Sequence, residues 1–327
     1  MSKLTDLADR AAHCAVELCW RQWADLSAAS ATAFEDPAVS IVDPEALLLA
    51  SLQLRLRERR LEDRLLWWAE TGSALTSVQR SRTLAKALPQ SARAGLASFA
   101  AAAVRSGDPR WKVFVDGVPE ALAVRPGKGP RELLLTQPAA LMVRLRAAFG
   151  VGIKADLLTY LIGVGGALHA DNSVAAVARS LGYSVASTRR AANDMALARL
   201  LEVGVDRPVR YSVDHRAWQM LLRTPGKYPA GVAETGWQGE AQPRWRFWAQ
   251  MYGFLLGVVG MVDDPRLLAA APVVHASRLR DVAEASRRCL YWNGIEWIDP
   301  KQFPGERYLA AFEMQLAAVV QWVQDHR

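Results

Sequence analysis

The stretch SVAAVARSLGYSVASTRRAANDMALARLL, residues 173–201, contains two helical patterns separated by only four residues. In the first pattern, apolar residues recur at i, i+3, i+4 and i+7 from Val174 to Leu181, so they share one face. Gly182 is suited to end that helix, and Ser184 is suited to cap the N-terminus of the next one. The stretch therefore predicts a helix-turn-helix, in which a short turn sets the angle between two helices.

The second pattern divides into an apolar face and a polar face. Thr188, Ala192 and Met195 are spaced i, i+4 and i+7, which predicts that they are buried. The side chains expected to point away from the core are Ser187, Arg189, Arg190, Asn193 and Asp194. Serine, arginine and asparagine near a helix N-terminus can bind phosphates and base edges, and arginine can bind guanine with two hydrogen bonds. This face is therefore predicted to contact another molecule.

The segments on either side extend the pattern. Upstream, IKADLLTYLIG, residues 153–163, predicts an apolar helix. Downstream, LLEVGVDRPVRYSVD predicts two short strands, 202–205 and 209–213, about a turn at 206–208. The side chains expected to face inward from the second strand are Val209, Tyr211 and Val213. The predicted order is therefore helix, helix, turn, helix and hairpin.

In this order of elements, in the turn VARSLGYS and in the helix STRRAANDM, the chain resembles the winged helix-turn-helix superfamily of bacterial transcription regulators, in the style of the MarR and ArsR families. The resemblance covers residues 154–214, under a fifth of the chain. It implies binding of double-stranded DNA, with a recognition helix in the major groove and a wing at the backbone or minor groove.

The resemblance also assigns individual residues to the DNA-binding surface. The recognition helix would contain Ser184, Ser187, Arg189, Arg190 and Asn193, and the wing would contain Arg207 and Arg210. One residue departs from the family pattern. Many members have glycine just before the apolar pair that ends the recognition helix, whereas Arg199 stands at that place here.

Length and charge set broad bounds on the protein. A chain of 327 residues that is 51% hydrophobic can form two or three domains with cores of ordinary size, and we expect it to be folded and soluble. Its formal net charge of +7 is compatible with an anionic partner. Residues 138–222 share this bias, with ten basic residues against six acidic ones.

The predicted fold class is mainly α. The predicted domains are a mostly helical N-terminal domain at 1–131, the winged helix-turn-helix with its small β-hairpin at 138–222, and a helical C-terminal domain at 244–327. Asp43, Pro44 and Glu45 form a helix start, and the amphipathic pattern after them predicts one helix over 46–70. The alternating residues 111–115 before Asp116-Gly117 predict a small hairpin. The segments 125–131 and 223–243 are rich in glycine and proline, which predicts connectors.

No pattern in the sequence indicates a metal, a cofactor or a catalytic site. The three cysteines form neither a disulfide framework nor a metal-binding spacing, which predicts a reducing cytoplasm. Asp6, Asp9 and Arg10 interrupt the apolar run that a signal peptide would need. The apolar segment 247–262 is expected to be a core helix and not a membrane span. We therefore expect a cytoplasmic protein that is not an enzyme and has no cofactor and no membrane partner.

Two functions follow from these patterns. The first is a transcription regulator that binds DNA as a homodimer, because one recognition helix reads only a few base pairs. The alternative is a non-catalytic interaction protein whose winged helix docks on another protein. A third possibility is an enzyme whose site lies among a C-terminal aromatic set, which could line a small-molecule pocket, form an interface or belong to the core. Its members are Trp237, Trp245, Trp248, Tyr252, Trp292 and Trp297.

Overall fold

The structure is a computed structural model that describes residues 3–27, 40–87, 90–115, 132–165, 171–205, 207–222 and 243–326. Within these ranges the chain is mainly helical and has one small antiparallel sheet of two strands, which confirms the mainly α fold class. Several predicted features lie outside the described residues. They are the turn Asp116-Gly117, the connector 125–131, residues 223–242 of the second connector, Asp206 and Trp237.

The helices before residue 116 form the N-terminal part of the fold. They are α1 (Lys3–Asp25), α2 (Pro44–Leu54), α3 (Leu61–Thr71), α4 (Val78–Leu84) and α5 (Gln90–Arg105). Short 3-10 helices lie at Ser73–Leu75, Ala85–Ala87 and Pro109–Phe114. Asp43 caps α2 as predicted, since its carboxylate accepts a hydrogen bond of 3.1 Å from the Ala46 N–H.

The central and C-terminal parts of the described chain are also mainly helical. The central elements are α6 (Leu141–Phe149), α7 (Ile153–Val164), α8 (Val174–Leu181), α9 (Val185–Leu197), β1 (Glu202–Val203), β2 (Tyr211–Ser212) and α10 (His215–Leu222). The C-terminal helices are α11 (Trp248–Asp263), α12 (Pro265–Leu268), α13 (Pro272–Trp292) and α14 (Tyr308–His326). Further 3-10 helices lie at Pro138–Ala140, Pro300–Gln302 and Gly305–Arg307.

The first and last parts of the chain are packed on each other. Helix α1 lies against α2, α11 and α14, and its buried side chains belong to the same apolar core as those of α11. The central part is joined to this core through α7, where a β-carbon at Gly163 would lie 2.8 Å from the backbone nitrogen of Trp245. Only glycine permits that approach. The division into three domains stays a prediction.

The helix predicted over 46–70 is wrong, because the chain turns between α2 and α3. The four residues predicted to share its apolar face, Leu54, Leu61, Leu65 and Trp68, are nevertheless all buried. After the turn, the rings of Trp67 and Trp68 pack against Trp23 of α1, with ring centres 6.1 and 5.5 Å away. A straight helix would carry these rings past α1, so tertiary packing outweighs local helix propensity here.

The hairpin predicted at 111–117 is also wrong in its described part. Residues Pro109–Phe114 form a 3-10 helix that begins with Asp108 as cap and proline in the first turn. The indole ring of Trp111 is buried, with its centre 5.0 Å from that of Phe99. Asp-Pro is a helix-start signal, and the helical conformation buries Trp111. These two effects outweigh the alternating pattern.

A buried ion network connects the N-terminal helices to the central part. Arg80 of α4 donates a hydrogen bond of 2.6 Å to one carboxylate oxygen of Asp43 and also pairs with its other oxygen and with Glu45. Its Nε donates to the carbonyl oxygen of Leu181 at 2.7 Å. That carbonyl belongs to the last turn of α8, where helical carbonyls have no partner within the helix. Arg80 therefore links α2 directly to the end of α8.

Arg146 of α6 forms the second half of the network. Its guanidinium group pairs with Glu45 at 2.6 and 3.0 Å and with Asp156 of α7 at 2.7 and 2.8 Å. Glu45 also accepts a hydrogen bond of 2.6 Å from the backbone N–H of Ser77. The side chains of all five ionised residues in the network are at most 1% exposed. Such groups are tolerated in a core only when their hydrogen bonds are satisfied.

The network also shifts the pKa values of its members. Burial alone would raise the pKa of Glu45, but the charges of Arg146 and Arg80 outweigh it and hold the pKa below the ordinary value. Burial alone would lower the pKa of Arg80, but the charges of Asp43 and Glu45 outweigh it and raise the pKa. Glu45 and Arg80 therefore stay charged in the folded protein at neutral pH.

We expect Arg146→Met to lower the free energy of unfolding by about 3–5 kcal/mol, because it leaves the buried Asp156 without its cation and removes one of the two cations that pair with Glu45. Urea unfolding followed by circular dichroism measures this loss. Arg10→Met is the matched control, since Arg10 forms surface ion pairs of 3.9 and 3.6 Å. The control should lose less than about 1 kcal/mol. Equal losses in the two variants would contradict the structural role of the network.

Acid should destabilise the protein through Glu45. Its pKa is lower in the folded state than the ordinary value of 4.5, so its stabilising effect is complete above that pH and is lost as the pH falls through the lowered pKa. The melting temperature, measured from neutral pH to about pH 3, should therefore fall most steeply below about pH 4.5. Glu45→Gln should flatten that fall, and a slope equal to that of the wild type would contradict this explanation.

Candidate nucleic-acid interface

Helices α8 and α9 begin at the predicted serine caps, and α8 ends at the predicted glycine. Ser173 and Ser184 are the N-caps, with hydroxyl oxygens that accept hydrogen bonds from the N–H groups of Ala176 at 3.4 Å and Ser187 at 3.1 Å. Gly182 ends α8 in the left-handed conformation, with φ of 73°. The turn between the helices is therefore as short as predicted, and each helix end has its own cap.

Helix α9 has one buried face and one exposed face. Thr188, Ala192 and Met195 are buried as predicted, and α9 packs on α7 and α8. The residues of α9 and its cap that are exposed include all those singled out from the sequence: Ser184, Ser187, Arg189, Arg190, Asn193 and Asp194. A polar and basic surface thus lies opposite the packed face of α9.

Two of the exposed candidates at the start of α9 are bonded to each other. The hydroxyl groups of Ser184 and Ser187 lie 2.7 Å apart, and residues 184–187 are all exposed. The N-terminus of a helix carries a partial positive charge, which favours anions such as phosphate. The first turn of α9 therefore combines hydroxyl groups, a favourable dipole and solvent access.

Two other polar residues of α9 have partners within the fold. The side-chain oxygen of Asn193 accepts a hydrogen bond of 2.8 Å from the hydroxyl group of Tyr211 on β2. Asp194 forms a salt bridge of 3.0 Å with Lys154 of α7, so its negative charge is partly neutralised. Asn193 thus anchors the hairpin to α9 in addition to being exposed. The sequence pattern identified Asn193 as exposed but gave no signal for this bond.

The hairpin lies beside α9 and is bridged to the segment before α8. Strands β1 and β2 pair Glu202 with Ser212 and Val203 with Tyr211. An antiparallel bridge also joins Ser173 to Arg210. Three chain segments therefore run side by side at this edge, although only β1 and β2 form a sheet.

The predicted inward face of the second strand is only partly buried. Tyr211 and Val213 are buried, but Val209 is 42% exposed, so that part of the prediction is wrong. Val209 lies beyond the paired residues of β2. Arg207 and Arg210, the two residues assigned to the wing, are both exposed.

Arg199 has the backbone conformation that its position in the family pattern suggests. Its φ is 58°, in the left-handed region that favours glycine. The N–H of Leu200 then donates a hydrogen bond of 2.9 Å to the carbonyl of Met195, which closes the C-terminus of α9. The chain thus makes the turn from α9 into the hairpin without a glycine, at a conformational cost of about 1–2 kcal/mol.

The turn between α8 and α9 is hydrogen-bonded to members of the ion network. The hydroxyl group of Tyr183 donates a hydrogen bond of 2.7 Å to Asp156, and Arg80 donates to Leu181. Burial raises the pKa of Tyr183, and the negative charge of Asp156 raises it further. Asp156 and Arg146, counted with the central charges in the sequence, are therefore not part of the surface. One charge of each sign is removed, so the positive balance of this region is unchanged.

The described ranges contain neither a metal-binding cluster nor a helix that could span a membrane. No group of three or more histidine, cysteine or acidic side chains there is arranged to hold a metal ion. None of the helices there combines the length and the apolar character needed to cross a membrane. Comparison with protein-family models, with curated protein sequences and with solved structures finds no match to this chain.

We expect Arg199→Gly to raise the free energy of unfolding by about 0.5–1 kcal/mol, because glycine adopts the left-handed conformation without a steric cost. Arg190→Gly, in the middle of α9, should lower it by about 1 kcal/mol, since glycine has poor helix propensity. Urea unfolding of both variants measures the two changes. Destabilisation of the same size in both would show that the conformation of Arg199 carries no cost.

Proposed function

We propose that residues 153–213 form a winged helix that binds double-stranded DNA, with α9 as the recognition helix and the β1–β2 hairpin as the wing. The observation that carries this proposal is the exposed polar and basic face of α9, opposite a face that is packed on α7 and α8. A helix of 13 residues with one exposed face has a suitable size for the major groove.

The order of the elements supports the proposal. Helix α7 is followed by the bridged segment at Ser173, then by α8, α9 and the hairpin, which is the order expected for a winged helix. The buried core of this region comes from apolar positions in each element. The short turn, capped at both sides and bonded to Arg80 and Asp156, gives α9 a fixed direction.

The exposed side chains would contact different chemical groups of the DNA. Arg189 and Arg190 would bind guanine edges or phosphates, and the hydroxyl groups of Ser184 and Ser187 would bind phosphates at the start of α9. Asn193 has its amide oxygen engaged by Tyr211, so only its NH₂ group is available as a donor. This NH₂ group would donate to a base acceptor or a phosphate.

The hairpin would contact the DNA backbone beside the recognition helix. Arg207 and Arg210 are exposed on it, and an arginine in a narrow minor groove is favoured by the negative potential there. One such module would read only a few base pairs. We therefore propose a homodimer, in which two recognition helices contact half-sites one helical turn apart.

The proposal is tested by fluorescence anisotropy with labelled duplex DNA, using a random sequence and the region upstream of the protein's own gene. Arg189→Ala/Arg190→Ala should weaken binding at least about tenfold, because two direct contacts are lost. If both arginines bind phosphates, the slope of log affinity against log salt concentration should also decrease, by the amount expected for the loss of about two phosphate contacts.

The matched control is Arg278→Ala/Arg287→Ala, which removes the same charge from exposed positions on α13. This control should bind DNA almost as well as the wild type, and circular dichroism should show that both double variants are folded. Equal loss in both would indicate an effect of net charge and not of α9. No binding at about micromolar protein in low salt would remove the DNA-binding proposal.

A second candidate function is docking on another protein through the hairpin. Exposed apolar side chains at the end of α9 and on the hairpin favour it: Leu197 is 87% exposed, Val203 52% and Val205 99%. Apolar residues grouped on a surface often mark protein interfaces. Sedimentation velocity of the wild type and of Leu197→Ser/Val205→Ser would detect self-association through this surface. That variant should retain DNA binding if α9 and the arginines carry it.

A further inference from the structure

A cavity of about 750 Å³ lies among α2, α5, α11 and α13, and none of its lining residues belongs to α9 or the hairpin. Its volume is within the range of small-molecule sites in proteins. The small and apolar residues that line it include Ala46, Ala50, Gly253, Gly257, Gly260 and Val282. Of the aromatic set predicted as a possible pocket lining, Tyr252 lines it, whereas Trp245 and Trp248 are buried in the core.

Two glycines of α11 line this cavity without packing against a neighbour. A β-carbon built at Gly253 or Gly260 would meet no other atom within 4 Å, so neither glycine is needed for close packing. Gly257 differs, because a β-carbon there would lie 3.1 Å from the side chain of Val282. A glycine inside a helix costs about 1 kcal/mol relative to alanine. Two such glycines without a packing role indicate that the space above them has a use.

The cavity also has buried polar atoms that lack partners. The side-chain oxygens of Gln53 on α2 and Gln250 on α11 are buried, and neither accepts a hydrogen bond from the residues that the structure describes. Both glutamines line the cavity. A buried acceptor without a donor costs about 1–3 kcal/mol, so these oxygens fit a ligand that supplies an N–H or O–H group.

Three charged side chains from separate elements line the cavity. Lys86 belongs to the 3-10 helix Ala85–Ala87, Arg93 to α5 and Asp281 to α13, and all three are exposed. Asp281 also forms an ion pair of 3.6 Å with Arg278 on the same helix, which partly neutralises it. The two cations and one carboxylate of the lining sum to a net charge of +1, which favours an anionic group next to the apolar residues.

We propose that this cavity binds a small amphipathic organic anion. Its apolar body would lie over Gly253 and Gly260, its N–H or O–H group would donate to Gln53 or Gln250, and its carboxylate or sulfonate would face Lys86 and Arg93. This proposal does not depend on DNA binding, because no residue of the cavity belongs to α9 or the hairpin.

The test uses the intact protein without DNA and two fluorescent probes. The first, 8-anilinonaphthalene-1-sulfonate, combines fused rings, one N–H donor and one sulfonate. The second, N-phenyl-1-naphthylamine, has the same rings and donor but no charge. Titration followed by fluorescence should show saturable binding of the anion with one site per chain, and weaker binding of the neutral probe.

Variants at Gly253 decide whether the cavity is the site. Gly253→Leu should fill it and weaken binding of both probes at least about tenfold. Gly253→Ala is the matched control, because one methyl group fits the open space; it should retain binding and raise the melting temperature. Gly260→Leu is a second filling variant at another position on α11, in case Gly253→Leu does not fold. Wild-type affinity in a folded filling variant would overturn the proposal.

Lys86→Ala/Arg93→Ala decides the charge of the ligand. It should weaken binding of the sulfonate probe several-fold and leave binding of the neutral probe unchanged. The same effect on both probes, or no effect on either, would overturn the assignment of an anion. Because these measurements contain no DNA, failure here leaves the function proposed for α9 untouched, and loss of DNA binding leaves the cavity proposal untouched.

Discussion

The fold depends on two guanidinium groups that are buried with three carboxylates. Removing such ions from water costs several kcal/mol each, and only close pairing with satisfied hydrogen bonds offsets that cost. Arg80 and Arg146 meet this requirement through Asp43, Glu45 and Asp156, and the excess negative charge is further stabilised by donors such as the Tyr183 hydroxyl group. Because the pairs join α2, α4, α6 and α7 to the turn before α9, the geometry of this buried cluster also determines how α9 is held.

The parts of the fold that follow from neighbouring residues could be predicted from the sequence. Ser173, Gly182 and Ser184 act within one helical turn, so spacing alone identifies the ends of α8 and α9. The exposed and buried faces of α9 follow from helical periodicity for the same reason. The ion network could not be predicted in this way. Glu45 and Arg146 are 101 residues apart, and nothing in their local sequence shows that they meet.

The two incorrect predictions, one helix over 46–70 and a hairpin at 111–117, have the same origin. The pattern over 46–70 is periodic enough for one helix, yet the indole rings of Trp67 and Trp68 pack on Trp23 only if the chain turns. Likewise, residues 111–115 alternate as in a strand, yet the 3-10 helix buries Trp111 beside Phe99. In both cases a long-range aromatic contact outweighs a local preference of smaller size. The cavity, formed by helices distant in sequence, has no local signal either.

Through Arg146, the central part of the chain depends on the N-terminal helices for a buried ion pair. A winged helix is usually treated as a unit that can be cut from its neighbours and grafted elsewhere. In this chain a fragment that begins at residue 138 would retain Arg146 and Asp156 but lose Glu45, and the last carbonyl of α8 would lose Arg80. The segment that carries α9 thus depends on the helices before it for its own interior. Transplanting it would require either those helices or an apolar replacement for the buried charges.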